Sequence, residues 1–370
     1  TTSTDDCIAI GRGALSGIGV IGNYNADDAS NTKAADVTGN YNIAVGNYAL
    51  DAVTSGAECV AIGHEALSAV SSVGNSTAVG YLAGKAVSGG SNTLIGLRAA
   101  EHATSIVHCV AVGRNALQGD GTTPPTGDHN VAVGNYALDA TTTGNSNVAV
   151  GYSAASATTT GVGQVAIGYN AGLHAISNYN ILLGLQAGYY GSGASECIAI
   201  GHNAMLGAAA ATVSCTVADG DATVNCSSSS VVNVGQYVTG TGVPNGTTVL
   251  GSGMTGTGGT NVTVFELSAN VVLGGASTTQ TLTFYKTTGD YNIAIGSYAL
   301  DAITTGASNV AIGHTALTTE DTSSGSVAVG HDSLKYQNVA SANNVAVGFQ
   351  SALNLSTGTD SVYMGYNAGG

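Results

Sequence analysis

Asn130-Val131-Ala132-Val133-Gly134-Asn135-Tyr136-Ala137-Leu138 is one copy of a word that returns along the whole chain. Its glycines serve as a ruler: Gly11, Gly22, Gly46, Gly63, Gly80, Gly96, Gly113, Gly134, Gly151, Gly168, Gly184, Gly201, Gly296, Gly313, Gly330, Gly348 and Gly365. Most successive gaps are 16 to 18 residues. One such unit cannot bury an apolar face alone, so a fixed period of this length predicts stacked coils, an all-β parallel β-solenoid of about 17 coils.

Period-two alternation sends Val131 and Val133 to one face of the word and Ala132 to the other. The β-branched pair is expected to line the coil interior. The intervening slot stays small at Ala44, Ala61, Ala132, Ala149 and Ala311, among others. A solvent-facing position has no need to stay small, so something is expected to pack closely against this face. The closing glycine suits a positive φ or a close backbone approach.

Composition agrees with short strands and tight turns. Fifty-five glycines and many Thr, Ser and Asn residues disfavour helix. Charged residues are 8% of the chain, the net charge is −15, and the seven Lys and Arg form no basic cluster, which argues against nucleic acid as a partner. No apolar run is long enough for a helical membrane span. Residues 1–7 lack the features of a signal peptide, so the chain reads as processed or as part of a longer one.

Cys7, Cys59, Cys109 and Cys197 each stand four residues before a ruler glycine. The same slot elsewhere holds Asn42, Asn92, Asn130, Asn147, Asn180, Asn292, Asn309 and Asn344. Stacked coils at roughly 4.8 Å spacing put Cys59 and Cys109 too far apart for a disulfide. They read as small buried thiols replacing a ladder asparagine.

A second period overlies the first. Steps of 17, 17, 16 and 17 run from Gly46 to Gly113 and again from Gly134 to Gly201. The first coils of the blocks share Tyr48-Ala49-Leu50-Asp51, Tyr136-Ala137-Leu138-Asp139 and Tyr298-Ala299-Leu300-Asp301, and the fourth coils replace the small slot by Leu94 or Leu182. Each block follows an elongated connection. The layout is thus solenoid over 1–206, with blocks 7–117 and 130–206 and connections 23–41 and 118–129; an inserted module over 207–287; and solenoid again over 288–370. Neither end carries a recognisable cap, which reads as a longer parent chain or as head-to-tail stacking into a filament.

Within the insert, alternation on both sides of Asp219-Gly220-Asp221 is a hairpin signal that sets Val217 against Val224 and Cys215 against Cys226, a candidate disulfide. Val231 to Pro244 and Thr281-Leu282-Thr283-Phe284 resemble a small β-sandwich module of phage tail and other virion proteins.

The word Asn-Val-Ala-Ile-Gly with its following Ala or Ser resembles the head repeat of trimeric autotransporter adhesins (YadA-like) and similar arrays in bacteriophage tail fibres. The resemblance covers about three quarters of the chain. It implies a left-handed β-roll that assembles as a homotrimer, with the small slot where chains meet. The coil here is longer than is usual for that family, which places the extra residues in the outward loop.

No phosphate loop, zinc-protease helix, Cys-x-x-Cys pair or nucleophile elbow is present. No catalytic residue, cofactor or metal is expected. His64, His202, His314 and His331 follow ruler glycines and could form rings in a trimer, but that slot also holds Arg12, Leu97, Tyr152 and Phe349, the variety of an exposed position. Asp27, Asp28, Asp36, Asp120 and Asp128 read as solvated loop acids rather than a calcium site. Tyr81, Tyr152, Tyr169 and Tyr366 could stack on saccharides or simply cover surface. Thr residues crowd into irregular loops, which argues against an ice-binding face.

The expected function is a non-enzymatic extracellular fibre protein, a phage tail fibre shaft segment contacting glycan or protein on a host surface. A bacterial or archaeal filament or surface adhesin built from the same coils is the second reading, and a hydrolytic spike the third.

Overall fold

The computed structural model describes residues 7–15, 39–229 and 237–370, apart from 70, 120, 176, 192, 208, 242, 245, 246, 248, 256–261, 269, 272–277, 286–288, 320, 321, 338, 340 and 341. The expected Gly22 coil and Asp27, Asp28, Asp36 and Asp120 lie outside these residues. The fold is an all-β parallel β-solenoid, with no helix among the described residues.

The chain forms two compact units, Thr1–Asn170 and Ala171–Gly370. In the first, nine three-residue strands from Ile8–Ile10 to Val165–Ile167 pair in parallel and in register, so that Ala44 stands beside Ala9 and Ala61, and Ala132 beside Ala111 and Ala149. In the second, seven such strands run from Ile181–Leu183 to Val362–Met364. Ile198–Ile200 pairs directly with Ile293–Ile295, so the ladder closes over the insert without a break.

The ruler glycines show why the period is strict. Gly134 has φ +135°, and a Cβ there would lie 2.3 Å from the carbonyl oxygen of Gly151. Gly63 would meet the Gly80 oxygen at 2.3 Å and Gly296 the Gly313 oxygen at 2.5 Å. The obstacle is backbone, which cannot move aside without breaking the stack.

Three further residues in each coil adopt left-handed backbone, as His129 (φ 59°), Tyr136 (φ 62°) and Leu138 (φ 51°) do around Gly134. For residues with a Cβ this conformation costs on the order of 1 kcal/mol each. Each is offset by a hydrogen bond directed along the stack: the Tyr136 N–H donates to the Arg114 carbonyl one coil before, and the Leu138 N–H to the Ala154 carbonyl one coil after. Alternating backbone hand thus turns the chain while keeping its N–H groups parallel to the axis.

The interior corrects one expectation. Ala44, Ala61, Ala132, Ala149 and Ala311 are each 0% exposed inside the coil, so they are not an interface between chains. The β-branched flanks face outward instead: Ile62, Ile167 and Ile312 are 39%, 41% and 37% exposed. The reason is the narrow bore. Four residues after most ruler glycines a side chain such as Leu50, Leu138 or Leu300 points inward and is buried. Opposite it there is room for a methyl group.

Where the slot is larger, a glycine yields. Leu94 and Leu182 occupy the space that a Cβ on Gly84 or Gly188 would enter, at 2.5 and 2.6 Å, and Tyr363 does the same against Gly369. The fourth-coil leucines and the third-coil Ala-Gly ending at Gly84 are therefore complementary halves of one packing solution.

A polar ladder runs through the same interior. Asn130 Nδ2 donates to the Gly127 carbonyl (2.9 Å) and the Gly144 carbonyl (2.8 Å), while its Oδ1 accepts the Asn147 N–H at 3.0 Å. Asn147 repeats the pattern onto Gly161 and Gln164. Cysteine substitutes in kind: Cys109 Sγ donates to the Gly127 carbonyl and accepts the Asn130 N–H at 3.4 Å. Cys59, Cys109 and Cys197 are free thiols, as the spacing of the column requires.

The insert differs from the expected sandwich. Its strands form one antiparallel sheet in the order Tyr237–Thr239, Thr278–Tyr285, Ala209–Val217, Thr223–Ser229, Val262–Leu267, Val249–Thr255. Val238 and Val249, from the two edge strands, share one core with Val217, Val224, Leu267 and Leu282. The Val238 N–H donates to the Thr247 carbonyl at 2.9 Å, so the edges approach. A sheet curled on itself encloses this small core and leaves less free edge than two layers would. In the hairpin, Val217 stands opposite Val224 and Cys215 opposite Cys226. Cys215 is disulfide-bonded.

Gly134→Ala is expected to lower the unfolding free energy by about 3 kcal/mol or more, because strain and backbone overlap act together. Gly220→Ala, at φ +75° with nothing within 4 Å of its Cβ position, is expected to cost about 1 kcal/mol. Urea midpoints of the two variants check the contrast.

Candidate interaction surface

Turning alanine inward leaves the strand flanks on the outside. In the first unit these positions are all Ile or Val except Thr77 and Thr93; in the second they are Ile, Leu, Val or Met. No charged residue falls among them, although the chain carries a net charge of −15. Parallel sheets ordinarily have both faces covered, whereas here one face packs the coil interior and the other is bare. A contiguous apolar face of this kind is a candidate interaction surface.

Beside this face stand the residues that follow the ruler glycines, and their rings stack coil on coil. In the first unit His64 stacks on Tyr81 with centroids 5.4 Å apart, and Tyr152 on Tyr169 at 5.3 Å. In the second, His314, His331, Phe349 and Tyr366 form a column with successive spacings of 5.0, 5.2 and 5.4 Å. The near-parallel rings cover each other's faces and leave edges to solvent. Tyr81, Tyr152 and Tyr169 are thus engaged with neighbours rather than open as saccharide platforms.

The acidic residues have three distinct roles. Asp128 Oδ1 accepts the Val107 N–H and Asp290 Oδ1 the Ser195 N–H, both at 2.8 Å, so these loop acids cap backbone of the preceding coil. Asp332 accepts hydrogen bonds from Thr315 Oγ1 (2.5 Å), Lys335 Nζ (3.0 Å) and Gln350 Nε2 (3.4 Å). Burial alone would raise its pKa, but these donors outweigh it and hold the carboxyl at about 2. Asp51, Asp139 and Asp301, five residues after the first ruler glycine of each block, form the third group. Burial raises all three, Asp139 to about 7 and Asp301 to about 6. Asp301 Oδ1 is buried with no hydrogen-bond partner among the described residues.

Cys59, Cys109 and Cys197 are buried members of the ladder. Burial pushes the Cys109 and Cys197 thiols up to about 11 and raises Cys59 as well. His174 is also buried, with Tyr189 and Tyr190 rings at 5.2 and 5.9 Å, and burial lowers its pKa to about 3.

The sequence reading weighed His314 and His331 only as rings in a trimer and did not join them to Asp332. His314, His331 and Asp332 bring potential ligand atoms within 4.8 Å of one another. Two histidines in the same slot of consecutive coils, with an acid beside the second, was the available signal. The outward apolar face escaped too, because the alternation was assigned to the wrong sides.

No family model, curated protein or solved structure matches the chain.

The raised pKa of Asp139 has a definite sign. Between about pH 4 and pH 7 the folded chain keeps a proton that the unfolded chain has released, so stability falls as pH rises through this window and is level above it. Asp139→Asn should therefore match the wild type near pH 4, become progressively more stable than it up to about pH 7, and keep a constant advantage above that. Urea unfolding of both proteins at pH 4.5 and pH 8 measures the difference.

Proposed function

We propose that this chain is a non-enzymatic structural subunit of an extracellular fibre. It assembles as a homotrimer through its outward Ile and Val rows, and it serves as a shaft segment of a phage tail fibre at a host surface. The observation that carries the reading is the bare apolar face of an in-register parallel ladder. A second copy of the chain is the fitting occupant, because only an array with the same coil spacing offers apolar rows in step along the full face. Absence of charge from that face removes the desolvation cost that would otherwise oppose association.

The phage assignment rests on the likeness of the coil word to tail fibre arrays. Mechanically, a stack bonded coil to coil resists bending and proteolysis. Three copies would present every loop and every insert three times on one rod, so that weak contacts to a surface glycan or protein add through avidity.

Native mass spectrometry at micromolar concentration is expected to find a trimer for the wild type. Val133→Lys with Val150→Lys, both outward, should give a monomer that keeps its β-sheet circular dichroism. Ala132→Leu should instead lower the unfolding midpoint by overfilling the bore. A monomeric wild type, or a lysine variant that still forms the trimer, would count against the proposal.

A further inference from the structure

The column of rings in the second unit includes a place where chemistry changes. His314 and His331 occupy the slot after Gly313 and Gly330 in consecutive coils and stack with centroids 5.0 Å apart. Both are exposed, whereas Asp332, in left-handed backbone (φ 58°), is buried beneath them.

The carboxylate is held in a defined orientation. Its Oδ1 accepts from Thr315 Oγ1 and Lys335 Nζ, while its Oδ2 lies 3.1 Å from His331 Nδ1. Two donors on one tetrahedral cation at about 2.0–2.1 Å are separated by roughly 3.3 Å, close to that spacing. The third donor is within 4.8 Å of the others, and an exposed imidazole can close the remaining gap by rotating about its side-chain torsions.

We propose that His314, His331 and Asp332 form a binding site for a borderline divalent cation of the zinc class. Two imidazoles and one carboxylate are the donor set for such ions, whereas calcium and magnesium require oxygen ligands. Three protein ligands leave at least one coordination position for water or for a donor from a bound partner. Thr315 Oγ1, donating to Oδ1, and Gln350 Nε2, 3.4 Å from Oδ2, orient the carboxylate, as supporting residues of metal sites do.

Other histidines in the same slot lack the combination. His64 has Glu65 at 3.7 Å but stacks on Tyr81, and His202 meets Tyr298. Lys335 is the natural competitor, since its ammonium shares the carboxylate that the cation would use. This gives the site a signature that chance binding to a surface histidine would not have: removing the lysine should strengthen it.

Calorimetric titration of the full chain with Zn2+ tests the assignment. The wild type is expected to show a saturable site of one ion per chain. His314→Gln and His331→Gln should each weaken it about tenfold or more, and Lys335→Ala should tighten it several-fold. Unchanged urea midpoints for the glutamine variants confirm that these exposed positions do not alter folding. Absence of a saturable site overturns the proposal, as does an affinity unaffected by His331→Gln or one weakened by Lys335→Ala.

Discussion

The structure depends on the contact between one ruler glycine and the next. A backbone whose Cβ position falls 2.3–2.7 Å from carbonyl atoms of the following coil can be built only from glycine. That approach holds consecutive coils in register at this corner. With the register set, the side chain four residues before the glycine lies above its counterpart, so one asparagine can bond its own coil and the next. The ring slot, the alanine slot and the strand flanks stack for the same reason. A solenoid of this kind needs no large core, because most of its cohesion runs along the axis.

Much of this was legible in the sequence. The period located the strands, and the shared slot of Asn42, Cys59, Asn92 and Cys109 identified a buried ladder in which thiol replaces amide. The hairpin around Gly220 was readable because alternation on both sides of a short turn leaves one register that pairs like with like. Even the block pattern has a physical cause: a leucine in the fourth coil requires a glycine where other coils have leucine, as Leu94 and Gly84 show.

What alternation alone could not supply was the side. A three-residue strand gives two faces, and the usual preference for burying β-branched residues selected the wrong one. The deciding information lay outside the strand, in the leucine that recurs four residues after the glycine. Leu50 and Leu138 are fully buried in the bore and take up the space that a β-branched residue would need. Alanine is small because it is inside a narrow coil. The valines outside it then acquire a different meaning, as a candidate interaction face.

The central claim is that the column containing the alanines and the ladder residues faces the coil interior. Native thiol reactivity tests it directly, since Cys59, Cys109 and Cys197 belong to that column. In the folded chain, diluted until it is monomeric, these three thiols are predicted to remain unreactive toward a thiol reagent and to react only as the coils unfold. Rapid modification of Cys59, Cys109 or Cys197 in the folded monomer would contradict the account.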